Sequence, residues 1–192
     1  MSSMTDLLLD RLGDGGLESL SQSLGSNPQV TKTAAAAALP MLLAALARNT
    51  QSDDGASALA GALDRDHDGS ILDAVGGGFS EDMRKDGDGI LKHVLGARRG
   101  MAEAGIAQAS GLDADQSSAM LAKLAPLVMG ALGQAKRSRN LDANGVTELL
   151  RGEDGPARKK LGGLAGLLDR DGDGSVADDI LGGLGRSLFG GN

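Results

Sequence analysis

Two stretches of this sequence place aspartates at alternating positions in front of a glycine. The first is 64-DRDHDGSILD-73, and the second, 169-DRDGDGSVADD-179, holds five aspartates in eleven residues. No lysine or histidine cluster accompanies them in the sequence, so a cation is needed to relieve their repulsion. Carboxylate oxygens are the ligands that Ca²⁺ prefers, at about 2.3–2.6 Å. The spacing therefore predicts two calcium sites.

The pattern matches the first half of a helix–loop–helix calcium loop. Such a loop has acidic side chains at positions 1, 3 and 5, glycine at the turn at position 6, and a backbone carbonyl ligand at position 7. Gly69 and Gly174 take the turn position, and Ile71 and Val176, two residues further on, are expected to dock into the core. The predicted metal ligands are Asp64, Asp66, Asp68, Ser70 and Asp73 in loop 64–75, and Asp169, Asp171, Asp173, Ser175 and Asp178 in loop 169–180.

The second half of each loop departs from this pattern. Position 12 should be a bidentate glutamate, but it is Val75 in the first loop and Ile180 in the second. Asp73 and Asp178 lie two positions earlier and could replace it, with Asp179 as a further candidate. We therefore expect weak, structural calcium binding. The alternative is a pair of aspartate-capped turns that need no metal.

A third acidic patch and the histidines are weaker candidates. Asp86 and Asp88 lie in 86-DGDG-89, but Arg84 stands where the first acid should be, so a turn is expected there. His67 is expected to point outward from its loop, and His93 to lie on the surface of a short helix.

Composition predicts an all-α fold. The chain of 192 residues has no Trp or Tyr and only two Phe, so its core must consist of aliphatic residues and Met. Ala and Leu favour helices, and the 31 glycines separate short apolar runs. We expect a bundle of short helices.

The order of elements predicts two tandem copies of one helical unit, each ending in a calcium loop. Asn27 before Pro28 and Asp113 in the second copy are expected to begin the long helices as N-caps. Pro40 and Pro126 are expected inside those helices, although each could instead end one helix before another begins. The predicted divisions are a first unit at 1–75, a glycine-rich connector with a short helix at 76–100, and a second unit at 101–192.

Charge and the N-terminal sequence narrow the functional classes. The net charge of −7 opposes contact with phosphate backbones, and the absence of cysteine excludes thiolate chemistry. The N-terminus does not resemble a secretory signal, and no apolar run approaches the length of a membrane span. A cytoplasmic location is the default expectation, with export that leaves the N-terminus intact still open.

Several stretches resemble the YidB-like family of bacterial proteins of unknown function, and the two aspartate loops are EF-hand-like, or dockerin-like. The resemblance implies an all-helical bundle of homeodomain-like shape, and it brings no established activity, substrate or catalytic residue. The matching pieces are 89-GILKHVLG-96, 104-AGIAQASGLDADQ-116, 121-LAKLAPLVMGALG-133 and 166-GLLDRDGDGSVADDILG-182.

These observations predict a calcium-binding, non-enzymatic structural or protein-interaction protein, with a protein partner or self-association of its two units. No activated nucleophile, histidine–acid arrangement or phosphate loop is recognisable, so an enzyme is not expected. The alternative, from the homeodomain-like shape that the resemblance implies, is a DNA-binding or nucleoid-associated protein, with basic residues clustered at 97–99, 136–139 and 158–160.

Overall fold

The computed structural model describes residues 3–74 and 78–153, and this part of the chain contains helices and turns but no strand. The predicted all-α class is confirmed. Three of the helices, at 21, 22 and 25 residues, are longer than expected, and the first of them bends at Gly13. The elements are α1 (Met4–Leu24), α2 (Pro28–Asn49), α3 (Asp53–Arg65), α4 (Ile71–Ala74), α5 (Glu81–Val94), a 3₁₀ turn (Gly96–Arg98), α6 (Arg99–Ser110), α7 (Ala114–Ser138) and α8 (143–153).

The predicted helix starts are confirmed. The Asn27 side chain accepts a hydrogen bond from the Val30 N–H group at 2.9 Å, and Pro28 takes the first helical position of α2. Asp113 caps α7 in a reciprocal pair with Gln116, each side chain accepting from the other's backbone N–H group. Local sequence alone therefore places the beginnings of both long helices.

Pro40 and Pro126 lie inside α2 and α7, and both are buried. The alternative that each proline separates two helices is wrong. A proline in a helix interior lacks one backbone donor, so surrounding packing must compensate for the lost hydrogen bond. The buried positions of both prolines fit that requirement.

Helix α7 is the centre of the bundle. It packs against α1, α2, α3, α4, α5 and α6, and most of its residues between Ser117 and Gly133 are buried. Helix α2 packs beside it and against α1, α5 and α6. The core where these helices meet consists mainly of leucines, alanines and methionines, with three valines and Ile106.

Both α2 and α7 are long and apolar enough to cross a membrane by length and composition, contrary to the expectation that no such run exists. Alanine-rich sequence raises their hydropathy without forming a single uninterrupted run of large apolar residues. In the structure, 67% of the apolar window of α2 and 72% of that of α7 are buried by other parts of the chain. This burial is typical of core helices in a helical bundle.

The segment interpreted as a connector, 76–100, contains α5, which packs extensively against α7. The expected turn at 86–89 is wrong, because these residues lie within α5. Asp88 pairs with Arg84 at 3.1 Å and with Arg99 at 2.7 Å. Two arginines therefore neutralise Asp88 of this third acidic patch.

Gly87 allows α5 to approach α7. A Cβ atom at Gly87 would lie only 1.6 Å from the carbonyl oxygen of Ala122, so a side chain there requires the two helices to separate. Gly89, on the same helix, is exposed and has no neighbour within 4 Å of such an atom.

Replacing Gly87 with alanine is expected to destabilise the fold by about 1–3 kcal/mol, the usual cost of overpacking. Thermal unfolding followed by far-UV circular dichroism measures this change. Gly89→Ala is the matched control, and it should leave stability unchanged or raise it by up to about 1 kcal/mol through helix propensity. Equal melting temperatures for the two variants would show that the close contact at Gly87 does not limit the packing.

Candidate metal site: the aspartate loop at residues 64–73

The first aspartate loop connects α3 to the short helix α4. Asp64 lies in the last turn of α3, and Asp66 follows the helix as its C-cap. Gly69 has a φ of +91°, a conformation that favours glycine, as expected for the residue at the turn of a calcium loop. The backbone therefore has the predicted turn, and α4 begins two residues later.

The loop backbone rests directly on α7. A Cβ atom at Gly133 would lie 1.8 Å from the carbonyl oxygen of His67, and one at Gly130 would lie 2.5 Å from Cγ2 of Ile71. On the opposite side of the contact, Gly69 faces the side chain of Gln134. Ile71 packs against the core, as predicted. Two glycines of α7 thus make room for the loop.

His67 is buried, with only 9% of its surface exposed, so the expectation that it points outward is wrong. The loop lies flat on α7, and Arg137 donates a hydrogen bond to the His67 carbonyl oxygen at 2.8 Å. His93 is exposed as predicted, with Nδ1 2.9 Å from the carbonyl oxygen of Gly89.

The first-loop carboxylates have separate partners. Lys136 of α7 binds Asp64 with a distance of 2.6 Å between Nζ and Oδ1. Asp73 lies 3.8 Å from Arg11 of α1, and Asp66 lies 3.9 Å from its neighbour Arg65. Within residues 3–74 and 78–153, no three acidic or histidine side chains are grouped so that they could hold a metal ion. The fit to calcium is therefore partial: the loop backbone has the expected turn, but the carboxylates do not converge.

The fourth carboxylate of the loop, that of Asp68, is hydrogen-bonded to Ser70. Asp68 Oδ1 accepts hydrogen bonds from the Ser70 N–H group at 2.9 Å and from its hydroxyl at 2.5 Å. The Ser70 carbonyl, predicted as a metal ligand, accepts from the Asp73 N–H group at 3.1 Å. The bonds from Ser70 hold the pKa of the Asp68 carboxyl below its ordinary value, and the charge of Arg137 lowers it further.

Removing the Ser70 hydroxyl is expected to raise the pKa of Asp68 toward its ordinary value. A lowered pKa in the folded state stabilises the fold above the ordinary pKa, and this stabilisation is lost as pH falls through the lowered value. NMR titration of the Asp68 carboxyl carbon in Ser70→Ala measures the change. Ser57→Ala, an exposed position on α3, is the control and should leave the Asp68 pKa where it is. An unchanged Asp68 pKa in Ser70→Ala would show that the Ser70 hydroxyl is not what lowers it.

Sequence reasoning missed the cations that face the loop. Lys136 and Arg137 lie about 70 residues from the loop, at the C-terminal end of α7. The basic cluster at 136–139 was the only available signal, but nothing local links it to the aspartates. Two residues of this cluster thus already have partners in the protein: Lys136 binds the Asp64 carboxylate and Arg137 binds the His67 carbonyl oxygen.

The second aspartate loop lies outside the described residues, as does the basic cluster at 158–160. The predicted ligands in that loop are Asp169, Asp171, Asp173, Ser175 and Asp178.

A groove of about 700 Å³ borders the first loop between α3 and α5. Its floor is apolar, with Leu46, Leu59 and Met129 among the lining residues. Asp66 and Asp86 also line it. The first loop thus packs on α7 and also lines an open groove that contains charged residues.

Comparison with known proteins gives one match. A family model described as a bacterial protein of unknown function (DUF937) matches residues 6–135, which is more than half of the chain. No curated protein and no solved structure matches the chain. The matched region extends from α1 into α7 and includes the first aspartate loop.

Proposed function

Since the chain belongs to the DUF937 family of bacterial proteins, whose description assigns no activity, we propose a function from its own residues. The protein is a non-enzymatic calcium-binding protein, in which weakly bound metal stabilises a helical bundle with a structural or protein-interaction role. The observation that carries this proposal is the first aspartate loop. Alternating acids lead into Gly69 at a positive φ between two helices.

The carboxylates of the first loop are free enough to reorganise around a metal. The side chains of Asp64, Asp66 and Asp73 are 55%, 64% and 86% exposed, and exposed ion pairs contribute about 0–1 kcal/mol. Calcium would replace these weak pairings with oxygen coordination. The main competitor is Lys136, because its ammonium group occupies Asp64 at 2.6 Å.

Metal at this loop would stabilise the whole bundle. The loop joins α3 to α4, and its backbone packs on α7, the helix that most other elements contact. Calcium that binds the folded loop but not the unfolded chain adds its binding free energy to that of folding.

We also propose that the chain contains two copies of one helical unit. Features of α1 and α2 recur 86 positions later in α6 and α7 with the same types of residue and roles. These are the left-handed helix ends at Gly25 and Gly111, the N-caps Asn27 and Asp113, the buried hydroxyls of Thr31 and Ser117, and the interior prolines Pro40 and Pro126. A constant offset across four roles supports duplication.

Within DUF937 we assign the chain to the YidB-like type, on the pieces 89–96, 104–116 and 121–133 of the described region together with 166–182. DNA binding is not favoured. Lys136 and Arg137 are engaged by the first loop, and Arg99 binds Asp88 at 2.7 Å and Glu103 at 2.8 Å. These contacts reduce the positive charge that Arg99, Lys136 and Arg137 offer to phosphates, and the net charge of −7 opposes phosphate binding further.

Adding calcium to chelator-treated protein is expected to raise its melting temperature, followed by circular dichroism because the chain has no Trp or Tyr. At 100-fold excess over the dissociation constant, one site adds about 2.7 kcal/mol. For a domain of this size, that is about 5–10 °C. Magnesium should have a smaller effect, since it prefers a rigid octahedral site.

The variant Asp66→Asn/Asp68→Asn should lose part of this calcium effect. Its control, Asp10→Asn/Asp14→Asn, removes the same charge from exposed positions on α1 and should keep the full effect. The proposal fails if chelator and calcium give the same melting curve for the unmodified protein.

Lys136→Met is expected to tighten calcium binding at the first loop about fivefold, because it removes the cation that competes for Asp64. The estimate corresponds to about 1 kcal/mol, the upper end for an ion pair at the surface, because the Lys136 side chain is only 14% exposed. Isothermal titration calorimetry measures it. Lys85→Met is the control, since Lys85 pairs with Asp82 at 3.5 Å on α5, away from the loop. Identical calcium affinities for both variants would show that Lys136 and metal do not compete.

A further inference from the structure

A second pocket, of about 370 Å³, lies where α1, α4 and the C-terminal part of α7 meet. Leu7 and Leu8 of α1, Leu72 of α4 and Ala131 of α7 are among its apolar lining residues. Small-molecule sites in proteins have volumes of about 300–1,000 Å³ and mostly apolar linings, so this pocket is of the right size for a small ligand.

Leu7 forms the exposed edge of this apolar lining. Half of its surface is open to water, and it is the one large hydrophobic side chain so exposed among the residues that the structure describes. A single exposed leucine is ordinary on a protein surface, but Leu7 adjoins the other apolar residues of the pocket. A ligand with an apolar body would cover Leu7 and remove this surface from water.

The charged residues of the pocket are all positive. Arg11 and Arg139 line it, and none of the described lining residues is an aspartate or glutamate. This is unusual in a chain whose acidic residues outnumber its lysines and arginines by 26 to 19. Gln134 adds an exposed side-chain amide that can donate a hydrogen bond. The charge that complements these groups is an anionic one.

Both arginines are available to such a ligand. The side chain of Arg139 forms no ion pair or hydrogen bond in the described part of the chain. Arg11 lies 3.8 Å from Asp73, but the two side chains are 52% and 86% exposed, so their pairing is weak. Glu153 is bound to the Met4 backbone N–H group at 2.8 Å and does not line the pocket. Each guanidinium presents a planar set of N–H donors that matches a carboxylate.

We propose that this pocket binds a small amphiphilic carboxylate. Its apolar body lies against Leu7, Leu72 and Ala131, and its carboxylate is held between Arg11 and Arg139. The apolar lining accounts for the body of the ligand, and the two arginines without an acidic lining residue account for its charge. This site goes beyond the proposed metal function and does not rest on it.

Methionine methyl groups provide the test, because Met4 lines the pocket whereas the buried Met83 and Met120 do not. NMR spectra of the full chain with labelled methionine methyl groups are recorded in chelator during titration with octanoate. The Met4 signal should shift in a saturable manner while the signals of Met83 and Met120 stay in place. Octanol and octylammonium have the same apolar chain without the negative charge, and they should bind at least about tenfold more weakly.

Arg11→Gln/Arg139→Gln should weaken octanoate binding about tenfold, since charge-assisted hydrogen bonds to the carboxylate are lost. Octanol binding should be unchanged, which shows that the variant pocket is still folded. The control Arg65→Gln/Arg98→Gln removes the same charge from exposed positions outside the pocket and should keep the octanoate affinity. Leu7→Gln should weaken the binding of octanoate and octanol alike, because it removes part of the apolar lining.

An unshifted Met4 signal would overturn the site, and so would equal affinities for octanoate and octylammonium, which would indicate apolar contact alone. A Met4 signal that moves with protein concentration before octanoate is added would place a second copy on Leu7, and this too would overturn the proposal. Because the titration is made in chelator, its failure is distinct from a failure of calcium to raise the melting temperature.

Discussion

The close approach of other backbones to α7 is the constraint on which the rest of the structure depends. The buried core of the described residues consists of leucine, alanine, valine, isoleucine and methionine, and Phe79 is the one aromatic side chain of that region that packs against it. Large aromatic side chains therefore do little to fill wide spaces between the helices. Tight packing then requires that the helices themselves come close together. Gly87 provides this on α5, and Gly130 and Gly133 provide it on α7.

The same constraint positions the candidate metal site. The first aspartate loop lies on α7 because two glycines leave space for its backbone, and this places its carboxylates near the basic end of that helix. Lys136 then pairs with Asp64, while Arg137 binds the loop carbonyl of His67. In the proposed function, a calcium ion would compete with the Lys136 ammonium group for Asp64. Such competition would link the calcium affinity of the loop to its contact with α7.

If the chain is duplicated as proposed, its two long helices differ at the positions that meet the first loop. Gly130 and Gly133 of α7 correspond to Ala44 and Ala47 of α2, and Lys136 and Arg137 correspond to Thr50 and Gln51. Glycines on α7 allow direct backbone contact, while the corresponding alanines on α2 do not. The contact of α7 with the first loop therefore depends on residues that α2 does not share.

Much of the helical architecture could be predicted from the sequence, because it depends on local chemistry. Asn27 and Asp113 bind backbone groups three residues away, and Gly69 needs its positive φ for a turn within its own loop. The alternating aspartates likewise identify the candidate site from spacing alone. Only the tertiary structure decided that His67 is buried, that 86–89 is helical and packed on α7, and that Lys136 neutralises Asp64. These outcomes depend on contacts between segments far apart in the sequence, and local propensity and spacing do not determine which distant surfaces meet.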